Sequence, residues 1–495
     1  MMARDTGEYE VEVDVVVVGA GGCGLTAAIA AANEGAQVIC LEKSRKPLSN
    51  TARSGGMIPA AGTRFQREAG IVETAEDFAR DIFAKNHHAS DQELTLHLAR
   101  TSKELVEWLV DDVGVALSFV GDFKYPGHTQ FRMHAPPSRT GQALIDDLRE
   151  ALVKHPNADL VTGAPAVGLV VDGSNAVTGV VIRQGDSESR IGAKKVILAC
   201  NGYAGNPTLV ARYCPGMAHA LYFGGEGSTG EGVLWGEALG GELAFMDAYQ
   251  GHASVAFPHG ILITYAAIME GGIQVNVRGE RFGDETCGYS ERALDVLAQP
   301  EGVAHEIYDA RIHALASTFE DYRDAVAAGA VRKADSEDDL ARLLQVDPAV
   351  LSRTLDAYRA AAKGEAKDLF GRNDCRVLEA PYYTVKVTGA LFHTQGGLRV
   401  DRDGRVQRAG GGIVPNLYAG GGVAAGVSGH GAGGYLSGNG LLTALCFGML
   451  AGRHAARSLR EASDREVAER LVVREASAEA ARATRDGKAV VEAQP

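Results

Sequence analysis

The hexapeptide GAGGCG at residues 19–24 is a complete G-x-G-x-x-G, with Gly19, Gly21 and Gly24 at the defining positions and Gly22 between them. The chemistry of such a stretch is the holding of a diphosphate. The first glycine permits the turn, the second lets backbone approach the phosphates, and the third lets helix and strand pack closely. The diphosphate then meets the unpaired N–H groups of a helix N-terminus. Glu42 lies about 20 residues on, where an acid bonds ribose hydroxyls. An acid there, followed by Lys43, fits a ribose without a 2′-phosphate and leaves NAD and FAD both open. No metal-ligand spacing, C-x-x-C pair or Ser-His-Asp signature stands out.

These glycines must stand between a strand and a helix. VEVDVVVV (11–18) reads as a buried strand, LTAAIAAANEG (25–35) as an Ala-rich helix closed by glycine, and AQVICLEKS (36–44) as a second strand. Residues 158–186 alternate strands and turns as a β-meander, and KKVILACNGYAGN (194–206) is a strand entering a glycine turn. From about 240 to 385 the pattern becomes helical. GGLRVDRDGRVQR (396–408) then reads as a hairpin, NLYAGG (416–421) as a strand into glycines, and the run from Tyr435 as a glycine turn followed by an apolar helix. The expected organisation is a nucleotide-binding α/β domain at 1–240, a capping or substrate domain at 241–385, the second part of the first domain at 386–460, and a charged helix or tail at 461–495.

Composition narrows the function. The 495 residues are 45% hydrophobic, which is ample for a core, and a net charge of −14 argues against nucleic-acid and anionic-membrane surfaces. The N-terminus lacks an apolar signal core and no apolar run is long enough to span a bilayer, so a cytoplasmic protein is the expectation. Seven scattered cysteines suit a reducing compartment, with Cys287 expected as a small buried residue.

Several stretches together resemble the fumarate reductase and succinate dehydrogenase flavoprotein superfamily, which includes the 3-ketosteroid dehydrogenases. They are GAGGCGLTAAIAAANEG, TARSGGMIPAAGT (51–63), VILACNGYAGN (196–206), RGERFGDE (278–285), HTQGGL (393–398), NLYAGGGVAAG (416–426) and YLSGNGLLTALCFGMLAG (435–452). The resemblance spans roughly residues 12–457. It implies an FAD-binding Rossmann-type domain of the glutathione-reductase kind with an inserted α+β capping domain, and FAD as cofactor. FAD contacts then fall on Glu42 and Lys43, on Thr51, Ser54, Gly55 and Gly56, on Ala166 and Val167 at the adenine end, on Asn201 and Gly202, on Gly421 and Gly422, and on Ser437, Gly440, Leu441 and Leu442. No histidine stands near Asn50, where related proteins attach flavin covalently, so non-covalent FAD is expected. Gly422 replaces the family's ribitol-binding glutamate.

The resemblance also implies which residues do the chemistry. Two family arginines, a proton donor and a carboxylate clamp, fall on Tyr289 and Tyr435. A phenol cannot neutralise a dicarboxylate, so a neutral ketone is expected instead. Tyr435 would donate to the carbonyl, Tyr289 would take the α-proton with Tyr125 as a weak candidate partner, and flavin N5 would take the β-hydride. His252 and His393 match two substrate-binding histidines. His430 is balanced between loop shaping and flavin contact. Arg53 and Arg292 are expected outside the pocket, and either one entering it would weaken the argument against acids. The expected activity is desaturation of a cyclic ketone with an unknown electron acceptor. The alternatives are an ene-reductase acting on an activated alkene or unsaturated acid, and a flavoprotein subunit that needs a partner chain.

Overall fold

A computed structural model describes residues 1–491, with side chains described to residue 465. The β-branched run Val11–Val18 forms the middle of a nine-stranded sheet. Val38–Glu42 lies parallel to it on one side, with Val15 opposite Val38, and Ser187–Leu198 lies parallel on the other, with Val18 opposite Leu198. Val15, Val16 and Val17 have no exposed surface, as a central strand covered on both faces requires.

The expected meander at 158–186 is shorter than the sequence suggests. Ala158–Thr162 leaves it to pair parallel with Val38–Glu42 at the sheet edge. The antiparallel ladder is Ala166–Val171, Val177–Gln184 and Ser187–Leu198. Local turn chemistry marks the strands but does not say which neighbour each one takes. The expected hairpin at 396–408 forms, with Val400 opposite Val406 around the turn at 401–404. Its second arm, Arg405–Gln407, also pairs with Ile413–Ala419, which joins the central sheet beside Ser187–Leu198.

The helix Gly22–Asn33 begins inside the glycine hexapeptide and closes at Glu34, before Gly35 with its φ of 92°. It packs against the C-terminal helix, Asn439–Val491. Gly448 and Gly452 make this crossing close: a Cβ at either would lie 2.5 Å from the Cys23 carbonyl oxygen or 2.2 Å from that of Ala27. The expected charged segment at 461–495 continues this helix as far as Val491; residues 492–495 lie outside the described residues.

A second, seven-stranded sheet carries the cap, with order Ile261–Leu262, Tyr249–Ala256, Tyr382–Thr394, Val303–Asp309, Ile273–Val275. Leu221–Tyr222 and Val331–Ala334 also pair with the strand Tyr382–Thr394, which runs through residue 385 without a break. The fold is thus mixed α/β, with a largely parallel nucleotide-type sheet and an inserted cap. Among the described residues no helix is long and apolar enough to cross a membrane.

Candidate functional site

A cleft of about 760 Å³ runs from the glycine turn at 19–24 to the underside of the cap sheet. At its nucleotide end Gly19, Gly21 and Gly22 form the wall. Gly24 stands behind them, because a Cβ there would sit 1.7 Å from the Gly19 carbonyl oxygen. Its lack of a side chain serves helix–strand packing. The Glu42 carboxylate accepts from the Ala20 N–H (3.1 Å) and the Ser44 N–H (2.8 Å), which aims it along the wall with lone pairs to spare. Lys43 lines the same end and reaches Glu231 (3.4 Å) and Thr229 (3.2 Å).

Thr51, Ser54, Gly55, Ala166, Asn201, Gly421, Gly422, Ser437, Gly440 and Leu441 also reach the cleft. Four further expected contacts do not. Val167, expected to contact the adenine end by backbone, does not line the cleft, and its carbonyl accepts from the Met1 amino group at 3.1 Å. Gly56 packs on the Thr140 carbonyl, Gly202 packs on Thr394, and Leu442 is fully buried beside Leu441 on the turning helix. The absence of a glutamate at 422 has a steric cause, since a Cβ there would lie 2.4 Å from Asn201 Oδ1 and 2.6 Å from the Gly202 nitrogen. A glycine-walled turn with a ribose-aimed acid and a long cleft beyond it fits FAD. Among the described residues no His, Cys, Asp and Glu cluster could hold a metal.

The cap end brings all four expected catalytic side chains to the cleft: Tyr289, Tyr435, His252 and His393. Tyr289 opens the helix Tyr289–Leu297, which lies on a sheet face thinned by glycine. A Cβ at Gly251 would meet the Ser290 carbonyl oxygen at 2.7 Å, and one at Gly389 that of Ala293 at 2.3 Å. The Gly251 N–H also donates to Ser290 Oγ at 2.9 Å. The loop before the helix is held by a buried ion cluster, in which Arg281 donates twice to Glu285 (2.8 Å each) and once to Asp368 (2.5 Å), with Arg372 Nη1 at 3.3 Å from Glu285. The R-F-x-x-E motif is therefore the anchor of Tyr289.

The rings form a continuous wall. His252 stacks on Tyr289 at 4.7 Å and on Phe392 at 5.0 Å, Phe392 stacks on Phe223 at 4.9 Å, and Tyr435 lies 6.2 Å from Tyr289. Tyr125 lines the cleft edge-on to Tyr289 at 6.2 Å. Burial raises the Tyr289 phenol well above its usual range, and the other groups acting on it are Tyr435, Ser437, Tyr125 and Glu291, none of them a cation. Burial also pushes Tyr435 up to about 12, against the pull of the Gly440 and Gly438 amides. The Gly440 N–H, in the first turn of the C-terminal helix, donates to the Tyr435 hydroxyl at 3.3 Å, which leaves the phenol O–H free to donate.

Burial lowers His252 to about 3 and His393 to about 4, so both are neutral. The Ser254 N–H donates to His252 Nδ1 (3.1 Å), which leaves the proton on Nε2. The Gln395 oxygen accepts from Ser428 (2.9 Å), so its amide nitrogen donates to His393 Nδ1 at 3.0 Å, a shorter contact than the 3.3 Å from Nδ1 to the Thr394 carbonyl, which would need the proton on Nδ1. His393 therefore also carries its proton on Nε2, beside Gly440 and Tyr435.

Two placements, those of Arg53 and Cys287, differ from expectation, and His430 takes the loop-shaping alternative. Arg53 enters the cleft, with its guanidinium carbon 5.4 Å from the centre of the Phe223 ring. His430 does not line the cleft; it is exposed and pairs with Asp247 at 2.8 Å. Cys287 is exposed rather than buried, on the loop just before Tyr289. Arg292 is fully buried outside the cleft, bonded to Gln274 at 3.1 Å and paired with Asp295 at 3.3 Å.

Sequence reasoning passed over Phe392 and Gln250. Gln250 stands two residues before His252 on one strand, a same-face spacing that would have flagged it. It also passed over His128, whose Nε2 donates to the Ser437 carbonyl at 2.9 Å while Nδ1 accepts from Arg132 at 2.8 Å. No local signal pointed to that contact, because the two residues are 309 positions apart.

A family profile described as "FAD binding domain" matches residues 14–441. The chain is 30% identical over 454 residues to an NADH:fumarate oxidoreductase of Klebsiella pneumoniae (strain 342), covering 90% of this chain and 48% of that protein, so it spans about half that relative's length. The open conformation of a flavocytochrome c3 fumarate reductase superposes with a TM-score of 0.78 at 30% identity, covering 91% of this chain and 79% of that one. The 3-ketosteroid-delta4-(5alpha)-dehydrogenase of Rhodococcus jostii RHA1, solved with 4-androstene-3,17-dione, superposes with a TM-score of 0.73 at 27% identity, covering 92% and 100%. The glycine turn, the cap over the cleft and this match along most of the chain lead to one assignment: the protein is an FAD-dependent oxidoreductase belonging to the fumarate reductase and succinate dehydrogenase flavoprotein family.

Proposed function

We propose that this flavoprotein desaturates a neutral cyclic ketone next to its carbonyl. The observation that carries the reading is the Tyr289–Tyr435 pair at the cap end of the cleft, with no cation among the groups acting on either phenol. FAD supplies the hydride acceptor for the β carbon. Tyr435 O–H and His393 Nε2–H donate to the carbonyl oxygen and stabilise the negative charge that builds there when the α proton leaves. Tyr289, in the minor fraction that has lost its own proton to solvent, receives the α proton at its phenolate oxygen. His252 and Phe392 offer flat faces to the ring of the substrate and keep water from it. Fumarate, which needs two cations at this point, is a poor fit to the pair.

One observation favours the reverse direction as a second reading. Tyr289 rests as a protonated phenol, ready to give a proton to the α carbon of a conjugated alkene. The experiment that separates the two is anaerobic mixing. Oxidised enzyme bleached by saturated cyclic ketones supports desaturation, and photoreduced enzyme reoxidised by enones but never bleached by ketones supports reduction. If neither ketones nor enones change the flavin spectrum while fumarate reoxidises it, the tyrosine argument is wrong.

We also propose that the flavin is held without a covalent bond. Asn50 stands where related proteins attach flavin and offers no nucleophilic ring nitrogen; its amide donates to the Phe392 carbonyl (3.1 Å) and accepts from the Gly225 N–H (2.6 Å). Acid precipitation of the holoenzyme should leave all the yellow colour in the supernatant; colour retained in the washed pellet would contradict this.

A further inference from the structure

Arg53 is a cleft cation that the proposed chemistry leaves unused. It is half-buried, and among the described residues its side chain has no acid within ion-pair distance and makes no hydrogen bond. Its Nε is shielded from solvent and has no partner. The acids of the cleft do not serve it: Glu42 is held by backbone amides, Glu231 by Lys43 and Thr229, and Glu226 is exposed. A shielded guanidinium nitrogen without a partner is costly, and a carboxylate received by the planar fork would restore its bonds. Stacking on Phe223 fixes the plane in which the fork is presented.

Its position defines what it can read. Phe223, Phe392 and His252 stand in sequence between Arg53 and Tyr289, each stacked on the next. Four contacts in series, at 5.4, 4.9, 5.0 and 4.7 Å, thus separate the guanidinium from the Tyr289 ring. We infer that Arg53 takes the carboxylate of an extended, multi-ring keto acid whose ketone lies at Tyr289 and Tyr435. This inference rests on the reading of the tyrosine pair given above. The substrate class is then an amphipathic acid with a neutral reacting end and an anionic distal end. The other lysines of the cleft do not compete, since Lys43 is paired and Lys46 is exposed.

The test compares a polycyclic ketone carrying a side-chain carboxylate with its methyl ester, using holoenzyme. Binding is read from the perturbation of the bound flavin's visible spectrum, and turnover is read separately by anaerobic bleaching. The acid should bind wild type at least about tenfold more tightly than the ester, as expected for a charge-assisted bond in a shielded site. Arg53→Leu should erase that preference, Arg53→Lys should keep part of it, and both should retain FAD. Equal binding of acid and ester by wild type, or a preference that survives Arg53→Leu, overturns the inference. Loss of FAD from Arg53→Leu also overturns it, because Arg53 would then serve the cofactor. Preferential binding of the acid without bleaching would end the desaturation reading while upholding the role of Arg53.

Discussion

Tyr289→Phe should lower the turnover of a bleaching ketone by about 10²–10⁴-fold, the usual contribution of a positioned acid or base. The ring that stacks on His252 is retained, so the flavin spectrum and FAD content should not change. The pH profile gives an independent check. The phenol lies well above its usual range because it is buried without a cation. Below its pKa the phenolate fraction, and with it kcat/KM for desaturation, should rise about tenfold per pH unit. His252 and His393, lowered to about 3 and about 4, stay neutral from pH 6 to 9 and add no limb to the profile. The rising limb should vanish in Tyr289→Phe. A flat wild-type profile, or a variant keeping more than about a tenth of the activity, would remove Tyr289 from the proton-transfer step.

The largest stability effect is expected from Glu285→Ala. Glu285 has no exposed surface and accepts from Arg281, from Arg372 and from the Gln274 N–H at 3.2 Å. Removing one member of a buried ion cluster leaves charge uncompensated and costs about 3–5 kcal/mol. The damage should spread to the site, because the Tyr265 hydroxyl donates to the Glu285 carbonyl (2.6 Å) and the Tyr265 ring lies edge-on to Tyr289 at 5.5 Å. A thermal midpoint several degrees lower, together with weakened ketone binding, is the expected result. An unchanged melting curve would show that the R-F-x-x-E pair does not anchor this loop.

The strand–turn–helix–strand unit at the start of the chain was readable because its constraints are local. Gly19, Gly21, Gly24 and Glu42 act within one strand–turn–helix–strand unit, so spacing alone implies their geometry. Tyr289 and Tyr435 were found by a motif comparison, and the fold brings their rings to 6.2 Å across 146 residues of chain. What no spacing could supply was the surroundings of these groups. The Val167 carbonyl is taken by the Met1 amino group, and the packing of Gly56 and Gly202 depends on chain segments far away.

Composition and motifs thus determined an FAD-binding α/β chain and the place of its glycine turn and of Glu42 beside it, since each is a property of neighbouring residues. Tertiary structure alone decided that Arg53 enters the cleft, that Cys287 faces solvent, and that His128 holds the Ser437 turn. It also decided the proton states of the cap end. A phenol or imidazole takes its pKa from burial and from the charges that the fold brings near it, and neither is a property of sequence position.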